Sequence, residues 1–410
     1  MPARTFAACA IVGVVTASLA AQTGRQSPAT PDATLTGRAE QVRVEVRVTD
    51  DDGNPVTDLE STDFEIRDDG KSKDILTFTF LNSHAGTTAP LRRDAANTLK
   101  DEPTVTATSA RAIVLVLDDL HIAATNTPRV TKAVREFLDI AVSATDSIAL
   151  VFTSGASRGG QDFTSDRRLV LATLDRFRGQ KLRSATVERL QDPRLNFGGV
   201  VDPNADPNQA DRANRARISL DALRRIGEAL ATFQDQRPMV LFVSEGPEYE
   251  VSGRSAWNRS DQQSINNGIR DAIQSLNRVN AIVFSIDPRG VATGNADQIH
   301  ASSVFDTLGV GTSALNSENI RALGVVQAVS ANTGGFTMLW RPDMSRDFRR
   351  VVAADGSYYV IGYGAPSTDR GRYHNISVNV RKRGLQVRAR TGYFLPASTT
   401  EHPEQTRPAN

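Results

Sequence analysis

Four short stretches of this 410-residue chain put oxygen-rich side chains directly after runs of apolar residues. Asp118-Asp119-Leu120-His121 follows Ile113 to Leu117, and Thr153-Ser154-Gly155 follows Ile148 to Phe152. Ser244-Glu245-Gly246 follows Met239 to Val243, and Asp287-Pro288-Arg289-Gly290 follows Ala281 to Ile286. Clustered carboxylates raise one another's pKa unless a cation compensates them. Hard divalent cations prefer carboxylate and hydroxyl oxygens. The pattern nominates Asp118, Asp119 and Glu245 as ligands of Mg2+ or Ca2+, with His121, Ser154, Ser244 and Asp287 on the same ligand-binding rim. The same acids could instead cap the following helices and complement their dipoles, and Asp287 before Pro288 could be turn chemistry.

These stretches share a rim only if the apolar runs are parallel strands. Continuous rather than alternating apolar runs indicate strands covered on both faces. Helical patterns lie near 128–143, 166–177, 218–234, 260–278 and 318–332, with a further short strand at Gly335 to Leu339. Alternating strands and helices imply a parallel sheet with right-handed crossovers. Such open sheets bind ligands beyond the carboxyl ends of their strands.

The flanks read differently. Val42 to Val48 alternates with period two, a strand with one buried face. Phe64 to Arg67 and Ile75 to Phe80 follow, separated by Asp68-Asp69-Gly70, a turn. Asp50-Asp51-Asp52 also reads as a solvated turn, since it lacks the spacing and terminal glutamate of an EF-hand loop. Three more short strands, Tyr358 to Tyr363, Ile376 to Val380 and Leu385 to Arg390, lie near the other end. Three strands alone make a weak core. The expectation is a doubly wound, Rossmann-like α/β domain inserted between the strands of one small immunoglobulin-like β-sandwich.

The expected segments are a signal peptide at 1–21, a flexible stretch at 22–38, sandwich strands at 39–82, a linker at 83–110, the α/β domain at 111–353, returning strands at 354–396 and a disordered tail at 397–410. Within the α/β domain, 179–217 reads as a polar insertion. Arg4, the apolar run Phe6 to Val15 and Ser18-Leu19-Ala20 fit an export signal. The expected location is therefore secreted, periplasmic or cell envelope, with no stable transmembrane segment after cleavage. The only cysteine, Cys9, lies in that signal, so the mature chain has no disulfide, thiolate nucleophile or cysteine ligand.

The composition is ordinary for a globular protein, 39% hydrophobic and 23% charged with a formal net charge of +1. No global field favours nucleic acid. There is no Gly-x-Ser-x-Gly elbow, P-loop or His-Glu-x-x-His motif, so no catalytic residue or organic cofactor is nominated.

LVLDDLH at the first strand and VLFVSEG at a later one resemble the von Willebrand factor type A domain. With VRVTDDDGNPVTDLESTDFEIRDDGK, NAIVFSIDPRG and the C-terminal YYVIGYGAPSTDRGRYHNISVNVRKRGLQVRARTGYF, the chain is similar to exported acidobacterial proteins of the VWFA-related family from about residue 40 to 396. The resemblance implies a divalent cation held by Asp-x-Ser-x-Ser, a threonine and a later aspartate. Asp118 matches the first aspartate. Leu120 and Ile122 stand where the serines belong, Glu245 stands for the later aspartate, and Ser219 is a guess for the threonine. The implied metal site is degenerate.

The leading functional expectation is an exported, non-enzymatic module that presents the rim, and with it the insertion, to a protein partner. The alternatives are a metal-dependent hydrolase using Asp118, Asp119, His121 and Glu245, or an envelope scaffold with an inert rim.

Overall fold

The computed structural model describes residues 41–82, 111–155, 159–191, 206, 208–233, 237–247, 259–290, 310–366 and 370–395. The expected signal, flexible stretch, linker and tail, at 1–21, 22–38, 83–110 and 397–410, lie outside these residues.

The described chain runs β1 (Gln41–Thr49), β2 (Phe64–Asp68), β3 (Lys71–Lys73), β4 (Ile75–Asn82), β5 (Arg111–Leu117), α1 (Thr127–Ala141), β6 (Ser147–Phe152), β7 (Gln161–Thr164), α2 (Arg167–Leu174), α3 (Ala185–Gln191) and α4 (Gln209–Leu230). It continues through β8 (Arg237–Val243), α5 (Arg259–Arg278), β9 (Ile282–Asp287), α6 (Val310–Asn332), β10 (Thr337–Leu339), α7 (Ser345–Gly356), β11 (Ser357–Gly364), β12 (Arg372–Val380), β13 (Gln386–Ala389) and β14 (Gly392–Leu395).

The central sheet has six strands in the order β10-β9-β8-β5-β6-β7. All neighbours are parallel except β6 and β7, which are antiparallel. The edge strand β7, Gln-Asp-Phe-Thr, is mostly polar and lacks the apolar run that reveals the others. β5 lies between β6 and β8, so the chain winds away from it in both directions, a topological switch point.

Period-two alternation divides the core into two layers. Ile113, Leu115 and Leu117 pack with Val130, Val134 and Phe137 of α1 and with Phe348 and Val351 of α7. Ala112, Val114 and Val116 pack on the other side with Leu223 and Ile226 of α4, Leu276 of α5 and Val326 of α6. α7 was not among the expected helices. α4 begins at Gln209, so the segment expected as a polar insertion supplies α3 and the first turns of α4.

Two four-stranded sheets, β13-β1-β11-β4 and β14-β12-β2-β3, each combine strands from both ends of the chain. They share one apolar cluster, with Val42, Val44, Val46 and Val48 of β1 against Phe64 and Ile66 of β2, Tyr359 of β11 and Ile376 of β12. Tyr359 sits among Phe64, Phe78 and Phe80 at ring-centroid distances of 4.9–5.4 Å. Its hydroxyl donates to the Val56 carbonyl at 2.9 Å and accepts from the Leu59 N–H at 3.1 Å. Among the described residues no helix is long and apolar enough to cross a membrane.

Candidate functional site

Strand register brings the four nominated stretches together. Leu117 lies level with Phe152 and with Val243, and Val243 with Ile286. The residues that follow, Asp118, Thr153, Ser244 and Asp287, therefore form one row at the carboxyl edge.

Side-chain alternation then sorts that row by face. Asp118, Thr153 and Ser244 continue the face that packs on α4. Asp118 is fully buried. Its Oδ1 accepts from Thr153 Oγ1 at 2.6 Å. Its Oδ2 accepts from Ser244 Oγ at 2.7 Å and from Ser219 Oγ, on α4, at 3.0 Å. His121 Nδ1 faces both oxygens, at 3.0 and 2.9 Å. The strand ends at Leu117 and the chain turns, with the His121 N–H donating to the Asp118 carbonyl at 3.1 Å. Extended-strand alternation would direct His121 away from Asp118; the turn folds the ring back onto the carboxylate instead.

Glu245 belongs to the opposite face. Its Oε1 accepts from the Ala123 N–H and from Asn126 Nδ2, both at 2.8 Å, and Lys181 Nζ lies 2.7 Å from Oε2. The Lys181 and Glu245 side chains are 4% and 2% exposed, a buried ion pair. Lys181 arrives on a segment that bonds along the turn after β5. The Gln180 N–H donates to the Asp119 carbonyl at 2.7 Å and the Lys181 N–H to the Ile122 carbonyl at 3.1 Å. Gly179 permits this approach, because a Cβ there would collide with the Ile122 carbonyl.

Asp119 accepts from the Ser154 N–H at 3.0 Å and from Gln180 Nε2 at 3.2 Å. Ser154 thus meets the rim through its backbone, while Thr153 supplies the hydroxyl. Asp287 is gripped by its own loop: Arg289 Nη2 lies 2.7 Å from Oδ2, and Arg289 Nη1 donates to Asn319 Oδ1 at 2.7 Å.

Burial pushes the Asp118 carboxyl up, but the electrostatic pull of His121 and the bonds from His121, Ser244 and Thr153 more than offset it. Asp118 is held below the usual aspartate range. Burial also pushes Glu245 up, and Lys181, Arg289 and Asn126 bring it below the usual glutamate range.

The structure therefore brings Asp118, His121 and Ser244 together and adds Thr153 and Ser219. It places Glu245 with Lys181 and Asn126, and Asp287 with Arg289. Among the described residues, the set of acids and histidine whose ligand atoms all lie within 4.8 Å of one another is Asp68, Asp69 and His374, not Asp118, Asp119 and Glu245. Thr153 could have been found from the sequence, because it follows its strand by one residue, as Asp118 follows β5. Lys181 could not, since nothing in a polar loop marks one lysine as buried.

No family model matches the sequence, and no curated protein matches it. Among solved structures, the chain is similar to the manganese-loaded Plasmodium vivax TRAP protein, at 9% identity and a TM-score of 0.26, over 70% of this chain and 96% of that one. It is also similar to the human COPII-coat protein Sec24c, at 9% identity and a TM-score of 0.28, over 71% of this chain and 45% of that one.

Proposed function

We propose that this chain is an exported, non-enzymatic protein-binding module of the von Willebrand factor A type, whose rim acids are held by side chains of the same protein rather than by a metal ion. One observation carries the reading. Each principal rim acid is engaged by a side chain of the same protein: Asp118 by the His121 ring and three hydroxyls, Glu245 by Lys181 and Asp287 by Arg289. A divalent cation at Asp118 would have to displace His121 from the carboxylate. Leu120 and Ile122, both buried, offer no oxygen ligand where the resemblance would put serines. The residues present do not fit Mg2+ or Ca2+.

We read β1–β4 with β11–β14 as an immunoglobulin-like sandwich, interrupted by the type A region at about 111–353. The amino-terminal sequence supports export, which protein sequencing of the envelope-fractionated chain would check through cleavage after residue 20 or 21.

The hydrolase reading has one feature in its favour. His121 Nε2 is buried with no hydrogen-bond partner among the described residues, while Asp118 engages Nδ1. A Ser–His–Asp relay needs a hydroxyl on the far ring nitrogen. Here the hydroxyls of Thr153, Ser219 and Ser244 bond the acid directly, which supports the non-enzymatic reading.

Calorimetric titration of the full chain with Mg2+ and Ca2+ tests the metal-free rim, and no heat attributable to Asp118 is expected. Binding abolished by Asp118→Ala would overturn it. Turnover of phosphate or ester substrates, lost in His121→Ala, would overturn the non-enzymatic reading. A thiol crosslinker on Ser154→Cys, exposed to envelope extract, should trap a discrete protein. Trapping only from Thr77→Cys, on β4, would favour the scaffold with an inert rim.

A further inference from the structure

We propose a second, independent site: a divalent transition-metal ion, zinc or manganese, bound by Asp68, Asp69 and His374 where β2 meets β12. β2 ends at Asp68, and Asp69-Gly70 makes the two-residue turn into β3, both with positive φ, as such a hairpin requires. The antiparallel pairing of β2 with β12 sets Asp68 opposite Ile376. His374, two residues before Ile376, faces the same corner. Its Nδ1 lies 3.0 Å from Asp69 Oδ2 and 3.8 Å from Asp68 Oδ1, and the three ligand atoms all lie within 4.8 Å of one another. Donors held about 2.0–2.2 Å from one ion are separated by distances of this order.

A cluster of charged groups can exist for its own ion pairs, but a second observation points to a ligand. Asp68 is 3% exposed, and its Oδ1 has no hydrogen-bond partner among the described residues. A buried carboxylate oxygen without a donor is costly. This one is turned toward the imidazole, beyond hydrogen-bonding reach and within the span of a bridging cation. The surroundings hold the ligands in place. Tyr393 donates its hydroxyl to Asp68 Oδ2 at 2.9 Å, and its ring stacks on His374 at 5.1 Å. The Asn375 N–H donates to Asp69 Oδ1 at 2.9 Å. Groups of this kind orient metal ligands and are needed for full affinity.

One imidazole nitrogen and two carboxylate oxygens suit zinc or manganese, while calcium requires six to eight oxygens. Asp69 is the ligand nearest solvent; its Oδ2 also accepts from the half-exposed Arg372 at 2.8 Å, and that arginine would have to swing into solvent for an ion with water on that side.

The test is calorimetry of the metal-stripped full chain with ZnCl2 and with MnCl2. One site is expected, with a higher melting temperature in zinc. Asp69→Asn keeps an Asn-Gly turn, which this hairpin accepts equally well, and should weaken binding at least tenfold. Tyr393→Phe should weaken it about tenfold, and His374→Gln should abolish it together with the ligand-field absorption of a bound Co2+ probe. His121→Asn should leave zinc affinity unchanged, which separates this site from the rim. Absence of binding at millimolar metal would overturn the proposal. So would affinity unaltered in both Asp69→Asn and His374→Gln, which would mean adventitious binding elsewhere.

Discussion

His121 Nδ1 lies 2.9 Å from one carboxylate oxygen of Asp118 and 3.0 Å from the other, with both side chains buried. Three hydroxyls complete the shell of that carboxylate. This shell holds a buried carboxylate at the end of the central strand, and the worth of the His121 contact is measured by removing it.

His121→Leu should destabilise the fold by about 1–3 kcal/mol, because it takes a hydrogen-bond partner from the buried Asp118 carboxylate. Equilibrium urea unfolding measures this. A loss under about 1 kcal/mol would mean that the hydroxyls alone suffice for Asp118.

Lys181→Met should cost about 3–5 kcal/mol, since Glu245 would keep only neutral hydrogen-bond donors and the pull of Arg289. In a double-mutant cycle with Glu245→Gln the coupling should be about 0.5–3 kcal/mol. Additive effects would show that the two groups act independently.

Stability should fall in acid. Asp118 and Glu245 are held below their ordinary values of 3.8 and 4.5 in the folded state. Their contribution is therefore fully present above those unfolded-state values, and it is lost as pH falls through the lower folded-state ones. Urea midpoints should change little on this account above about pH 5 and drop steeply below about pH 4. The drop should be shallower in Asp118→Asn; an identical slope in that variant would remove Asp118 as a cause.

Gly246→Ala should lower stability by about 1–3 kcal/mol. Gly246 has φ of +80°, and a Cβ there would run into the Ala322 carbonyl of α6. Thermal melting of the variant against the parent checks this, and an unchanged midpoint would show that α6 can give way.

The central sheet was legible because its strands are continuous apolar runs, and the observed β5, β6, β8 and β9 fall on those runs within a few residues. The edge strand β7 was not, being four half-polar residues whose strand character comes from pairing with β6. α7 escaped because Ser345 to Gly356 is mostly charged or small, and its few apolar residues emerge as a stripe only against α1. At the rim, the acids were visible but their partners were not. Alternation applies up to Leu117 and fails in the turn beyond it, so His121 was misdirected. Ser154 was chosen over Thr153 because the strand end, and with it the facing parity, was not tied to that of β5. Asp68 and Asp69 read as turn chemistry, since nothing local indicates that His374 faces them across β12.

Arg47 on β1 bonds the Ala354 carbonyl at 2.7 Å, across 307 residues of chain. A ribosome adding about 5–20 residues per second separates those two residues by about 15–60 s. Throughout that interval β1 lacks β11 and β13, the neighbours it holds in the finished protein. Its Val42, Val44, Val46 and Val48 then stand without their layer, on an edge of the kind that invites intermolecular pairing. The continuous central strands can meanwhile collapse on their own helices. Among the described strands, the first one made is therefore among the last to be protected.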